Sequence, residues 1–273
     1  MELTSRLPFA RRAGHGRRRQ WPVWLARAGL VGRGLLYLLI GWLAIRLAFG
    51  DTSAHADQKG ALRALAAQPS GRVGLLALAA LFTSYALFRA SLAVLDPEDA
   101  GVAKRVWYAW RFAVYAFLAA AAVALARGKP VAGGDSERDL TVRVLQVPMG
   151  RWAVVGAGLA IVAAGVWHGW RVVSGSFADD LRDGEMPAGV ERIVGVVGAL
   201  GTLARMISFG LVGAFLVRAG WRFDASEPVG LDESLAAVQR DAWGPVALVA
   251  VGVGLAAFGA FALARARYER IEG

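Results

Sequence analysis

WAVVGAGLAIVAAGVWHGW, residues Trp152–Trp170, stands between Arg151 and Arg171 without one formally charged side chain. A helix needs about 20 residues to cross roughly 30 Å of hydrocarbon, and this run supplies nearly that many. A second uninterrupted run occupies residues 242–264, between Asp241 and Arg265. Four more, near 28–49, 73–95, 106–126 and 193–218, have spanning length but each holds at least one arginine. The runs are rich in Leu and Ala and lack strict polar/apolar alternation, so they read as helices rather than barrel strands. A helix satisfies its own backbone groups in lipid, which an isolated strand cannot do. The expected fold class is all-α: a polytopic membrane protein with six transmembrane helices.

The rest of the composition agrees. Of 273 residues, 56% are hydrophobic and 19% charged, which is too apolar for a soluble domain of this size. There is no cysteine, so disulfides, thiolate metal sites, iron–sulfur clusters and thiol nucleophiles are unavailable. The net charge of +10 would suggest nucleic acid in a soluble chain, but its placement argues for topology. Residues 1–24 carry Arg6, Arg11, Arg12, Arg17, Arg18 and Arg19 against Glu2 alone. Anionic headgroups and the membrane potential oppose translocation of such a tail, so it is expected in the cytoplasm as an uncleaved segment of a bacterial inner-membrane protein. An even number of spans returns Arg265, Arg267 and Arg270 to the same side. No nucleic-acid partner is expected. Trp21, Trp24, Trp107, Trp110, Trp152, Trp170, Trp221 and Trp243 fall near span ends, as an aromatic belt requires.

Internal repetition sets the architecture. RAGLVGRGLLY (Arg27–Tyr37), RVWYAWRFAVY (Arg105–Tyr115) and ALGTLARMISF (Ala199–Phe209) each place an arginine four residues before an aromatic ring. Each is followed by a polar loop with a short amphipathic stretch opening on aspartate: DQKGALRAL from Asp57, DLTVRVLQV from Asp139 and DESLAAVQ from Asp232. Aspartate there predicts a helix N-cap. A glycine then precedes each second span, at Gly71, Gly150 and Gly244. The chain divides into a basic tail (1–24) and three two-span repeats, 25–98, 99–184 and 185–273. Three like-oriented copies predict a pseudo-threefold bundle, with the first helix of each repeat toward the axis and the second outside, or the reverse. The amphipathic stretches are expected along its outer interface.

ARAGLVGRGLLYLLIG from Ala26, DQKGALRAL from Asp57 and YALFR (Tyr85–Arg89) resemble the bacterial integral-membrane family catalogued as domain of unknown function 1206. That family is built of three tandem two-span modules. The resemblance covers nearly the whole chain beyond the tail and is weakest in the third repeat, where Phe209 replaces a tyrosine. It implies the fold and no activity.

Intramembrane basic residues are the candidate site. Arginine at the bilayer centre costs on the order of 2.5–3.5 kcal/mol, so it is not placed there casually. Arg33, Arg111 and Arg205 fall early in the odd-numbered spans, and Arg89 and His168 late in the even-numbered ones, which brings all five to one depth. Gathered around a cavity they would suit an anion or a lipid headgroup. The competing reading is snorkelling, with each stem laid along the helix toward the headgroups. Arg205, midway along the uncharged stretch from Ile193 to Val217, fits that reading least. His168, between Gly165 and Gly169, reads as an interhelical hydrogen-bonding residue. His15 and His55 have no partner at metal spacing, so neither a metal nor another cofactor is expected.

No Asp or Glu falls inside these six runs, and Ser84, Ser174 and Ser208 have no evident base, so an enzyme is not expected. Two functions remain. One is a structural or associative module binding anionic membrane lipids, a partner membrane protein or a second copy of itself. The other is a passive channel or small-anion transporter lined by Arg33, Arg111 and Arg205.

Overall fold

The computed structural model describes residues 21–51, 53–95, 101–129, 135–174, 188–224 and 227–268. The tail arginines, His15 and Arg270 lie outside the described residues. Nine helices and no strand occur among them. The first repeat comprises α1 (Trp21–Ala48), α2 (Gln58–Ala66) and α3 (Gly71–Leu95), and the second α4 (Gly101–Ala126), α5 (Asp135–Leu145) and α6 (Gly150–Val173). The third comprises α7 (Ala188–Arg222), α8 (Leu231–Gln239) and α9 (Gly244–Tyr268). The six long helices, α1, α3, α4, α6, α7 and α9, are long and apolar enough to cross a membrane, as the hydropathy pattern predicts. Helix α7 outruns its apolar core at both ends. At 1.5 Å per residue it is about 52 Å long, and it takes Glu191 into its first turn.

The short helices show how local chemistry sets the loops. Asp57 caps α2 as expected, its Oδ1 accepting from the Gly60 N–H at 2.6 Å. The other two aspartates do not cap. Helix α5 starts at Asp135, which leaves Asp139 inside it and exposed. Helix α8 starts after Gly230 (φ 103°), so Asp232 and Glu233 sit in its first turn, where the helix dipole favours carboxylates. Glu233 also reaches back to accept from the Val229 N–H at 2.7 Å. Helices α2 and α8 are packed into the bundle. Leu62 and Leu235 are fully buried, and α2 is wedged against α1, α3 and α4, as α8 is against α7, α9 and α1. The Gln239 side chain donates to the Leu47 carbonyl at 2.7 Å, tying the third repeat to the first.

Gly71, Gly150 and Gly244 are the pivots on which the chain turns from short helix to second span. A Cβ at any of them would overlap a carbonyl oxygen of the preceding short helix, that of Leu65, Val144 or Val238.

The long helices pack in cyclic order. The second span of each repeat lies against the first span of the next: α3 on α4, α6 on α7 and α9 on α1. This is the pseudo-threefold arrangement, with first and second spans sharing one ring rather than forming an inner and an outer layer. Lipid supplies no hydrophobic drive between helices, so close backbone approach must hold such pairs together. On α1 and α9, Gly41 meets Gly252 and Gly34 meets Gly259, seven residues apart on each antiparallel helix. A Cβ on Gly41 would stand 2.5 Å from the Gly252 carbonyl oxygen. On α6 and α7 the equivalent pair is Gly158 and Gly213, each of whose Cβ atoms would stand within 2.8 Å of the other's carbonyl oxygen. On α3 and α4 the equivalents are Ala79 and Ala119, both buried in one apolar cluster.

The symmetry breaks in the second repeat. Within the first repeat α1 and α3 pack together, through Gly29 against Tyr85 and Gly32 against Leu81 and Phe82. Within the third, α7 and α9 do so through Gly201 against Phe258 and Ala204 against Gly254. At the matching positions the second repeat carries Trp107 and Trp110, and among the described residues α4 and α6 share no comparable packing. The result is a ring of six helices open on one side.

Gly41→Ala should therefore lower thermal stability in detergent by about 1–3 kcal/mol, since both close atoms are backbone and cannot step aside. Gly156→Ala, where nothing lies within 4 Å of the new methyl, should unfold at or slightly above the wild-type temperature.

Candidate functional site

Arg33 lies about 18 Å from the start of α1 and Arg205 about 25 Å from either end of α7, at 1.5 Å per residue. Arg111 occupies the matching position on α4. All three lie within electrostatic reach of one another and of Tyr37 and Tyr115. Their charges thus come from three repeats.

Aromatic rings hold them. The Arg33 guanidinium lies 4.8 Å from the Phe258 ring centroid and 5.9 Å from that of Tyr37. Arg205 lies 4.6 Å from Phe258, 5.1 Å from Phe209 and 5.5 Å from Tyr37. Tyr37 and Phe258 meet edge to face at 4.8 Å, so these two arginines share one aromatic platform built from α1 and α9. Attraction to a ring face is worth about 2 kcal/mol or more when the cation is desolvated. Arg205 is only 8% exposed, and its Nε is buried without a hydrogen-bond partner.

Tyr85 organises the other side. Its hydroxyl accepts from Arg89 at 2.6 Å and from Arg111 at 3.1 Å, bringing α3 and α4 onto one oxygen. The Tyr85 and Tyr115 rings meet edge to face at 4.4 Å, and Arg89 also lies over Phe88 and Tyr108. Arg111 covers Trp107 at 5.0 Å and hydrogen-bonds Tyr85, rather than lying over Tyr115 four residues on as the spacing suggests. Each guanidinium meets a ring or hydroxyl of its own helix and one of a neighbouring helix. Among the described residues no carboxylate pairs with Arg89, Arg111 or Arg205.

The His168 ring lies 6.0 Å from that of Phe209 on α7. Gly165 and Gly169 beside it accept the close passage of Met206 and Phe209, as small residues at helix crossings do.

Two contributors are invisible in the arginine-to-aromatic spacing: Tyr85 and Phe258, one on the second span of the first repeat and one on that of the third. Aligning the second spans on Gly71, Gly150 and Gly244 brings them to one position and puts Ala164 there in the second repeat. That same alignment carries Arg89 to His168 and Ala262.

The profile of the family described as Domain of Unknown Function (DUF1206) matches the chain three times, over residues 28–96, 106–175 and 200–269. A similar chain is the uncharacterized protein YxxB of Bacillus subtilis (strain 168), 26% identical over 256 residues, which are 91% of this chain and 92% of the relative. No solved structure matches.

Tyr85→Phe should cost about 1–3 kcal/mol of stability, because two partly buried guanidinium groups lose their shared acceptor while ring packing is kept. The check is thermal unfolding in detergent; a midpoint within error of wild type would mean the hydroxyl is not what holds Arg89 and Arg111.

Proposed function

We propose, for a chain that belongs to the DUF1206 family, that it is a non-enzymatic protein of the bacterial cytoplasmic membrane which holds an oxyanion, a phosphate or carboxylate group, among Arg33, Arg111 and Arg205. Both termini lie in the cytoplasm, which puts the arginine set toward the inner leaflet.

One observation carries the proposal: Arg33 and Arg205, from two repeats, share the rings of Tyr37 and Phe258, Arg111 from the other repeat hydrogen-bonds the Tyr85 hydroxyl, and no carboxylate is paired with Arg111 or Arg205 among the described residues. Like charges repel strongly where the dielectric constant is low. An unpaired buried charge costs about 3–5 kcal/mol, and a bound anion removes that cost through charge-assisted hydrogen bonds. The unpartnered Nε of Arg205 is one donor such an anion would use.

The rival is a passive anion path along the same arginines. Beyond them, toward α2 and α8, the bundle is filled by Ile40, Leu43, Leu75, Phe82, Leu248 and Leu255, all fully buried. Conduction would require that apolar block to open, whereas binding requires no change.

Titrating the detergent-purified protein with sodium phosphate or with dihexanoyl phosphatidylglycerol at constant ionic strength should raise the melting temperature. A hundredfold excess over Kd stabilises by about 2.7 kcal/mol, or about 5–10 °C for a chain of this size. Arg205→Gln should lose most of that rise. No rise with either compound, or an equal rise in the variant, would remove the proposal. Topology has its own check, since the chain has no native cysteine. Single cysteines placed at residue 5 and residue 271 should both be shielded from membrane-impermeant maleimide in intact cells and react after lysis.

A further inference from the structure

We infer that the opening between α4 and α6 admits a phospholipid sideways from the bilayer, so that the oxyanion among the arginines is the phosphate of an anionic lipid whose chains stay in the opening. This rests on the oxyanion reading above and adds its source.

The opening is a feature of one repeat. Where Gly29 and Gly32, or Gly201 and Ala204, let two spans of a repeat touch, the second repeat carries Trp107 and Trp110, both more than half exposed. Along α4 the described side chains from Val102 to Ala113 are exposed except those of Tyr108 and Arg111, while Leu118, Ala119, Ala121 and Ala122 further on are buried. On α6, Ala163, Ala164 and Trp167, late in the helix, are exposed, while Gly165 and Gly169 between and beside them are buried. Exposure along α4 is therefore concentrated in the half of the helix that holds Arg111.

What stands at the gap suits a headgroup. Arg111 is on its α4 wall, and His168 is on α6 against Phe209, the ring that Arg205 covers. Ala164 occupies the position held by Tyr85 and Phe258 in the other repeats, so a methyl stands where a ring closes the corresponding corner elsewhere. Lys104 and Arg105 lie at the start of α4, Arg105 about 9 Å along the axis from Arg111. A phosphate entering from the headgroup layer thus meets basic side chains before it meets the buried set. The walls favour a lipid over a soluble ion. Trp107, Trp110, Trp167 and the α4 and α6 alanines offer apolar surface at acyl-chain depth, which a free anion would have to cross without a counter-charge.

The test uses the full chain in phosphatidylcholine nanodiscs containing trace phosphatidylglycerol or phosphatidylcholine with a photoreactive diazirine in one acyl chain, with crosslinked peptides mapped by mass spectrometry. The phosphatidylglycerol probe should label residues 101–117 and 159–170 on the order of tenfold more than the phosphatidylcholine probe. Unlabelled phosphatidylglycerol should compete that labelling away. Equal labelling by the two probes would overturn the inference, since α4 and α6 would then meet only annular lipid. Crosslinks from α4 to α6 of a second copy, without selective lipid labelling, would overturn it too and make the opening an interface between copies. Stabilisation by phosphate in detergent together with equal labelling would leave the oxyanion reading standing and remove only the sideways route. No stabilisation by either phosphate or dihexanoyl phosphatidylglycerol would remove both.

Discussion

Helices inside a bilayer gain little from hiding apolar surface from one another, because lipid is as apolar as they are. The structure depends on that constraint. Its strongest joints are those where backbones approach most closely, at Gly34 with Gly259, Gly41 with Gly252 and Gly158 with Gly213. Each joins the end of one repeat to the start of the next, so the repeats are held in a cycle by contacts between units rather than within them. The contacts inside a repeat are then free to vary, and they do. The first and third repeats close on glycine and alanine; the second, with tryptophan in their place, does not close.

The arginines follow from the same geometry. Three copies of one first span, placed in a cycle, bring three copies of one arginine to a common depth and onto a common centre. Proximity is thus built in by duplication, and the surrounding residues are what make it tolerable. Phe258 serves two guanidinium groups at once, and the Tyr85 hydroxyl serves two others. Rings can soften a buried charge, yet they carry none of the opposite sign. A cluster of this kind is thereby suited to an anion supplied from outside the chain.

Some local signals in the chain were fully legible. Asp57 capped the helix it was expected to cap, and the glycines before each second span proved to be positions where the chain passes too close to a carbonyl for any side chain. Others were misleading. Asp139 fell within a helix and Asp232 just inside one, because Asp135 and Gly230 gave earlier starting points. The rings and the hydroxyl that Arg33, Arg205 and Arg111 meet on helices of other repeats gave no local signal.

Length, hydropathy and internal similarity belong to contiguous residues and need no knowledge of neighbours in space. For that reason the sequence by itself determined six helices of spanning length and their grouping into three repeats. Which ring each arginine meets, and that the second repeat stands open, depend on side-chain volumes brought together from distant parts of the chain. Trp107 and Trp110 read as interfacial anchors in sequence, and only in the folded ring do they stand where Gly29, Gly32, Gly201 and Ala204 make the close contacts of the other repeats. Those relations exist only between helices already packed, so the tertiary structure alone decided them.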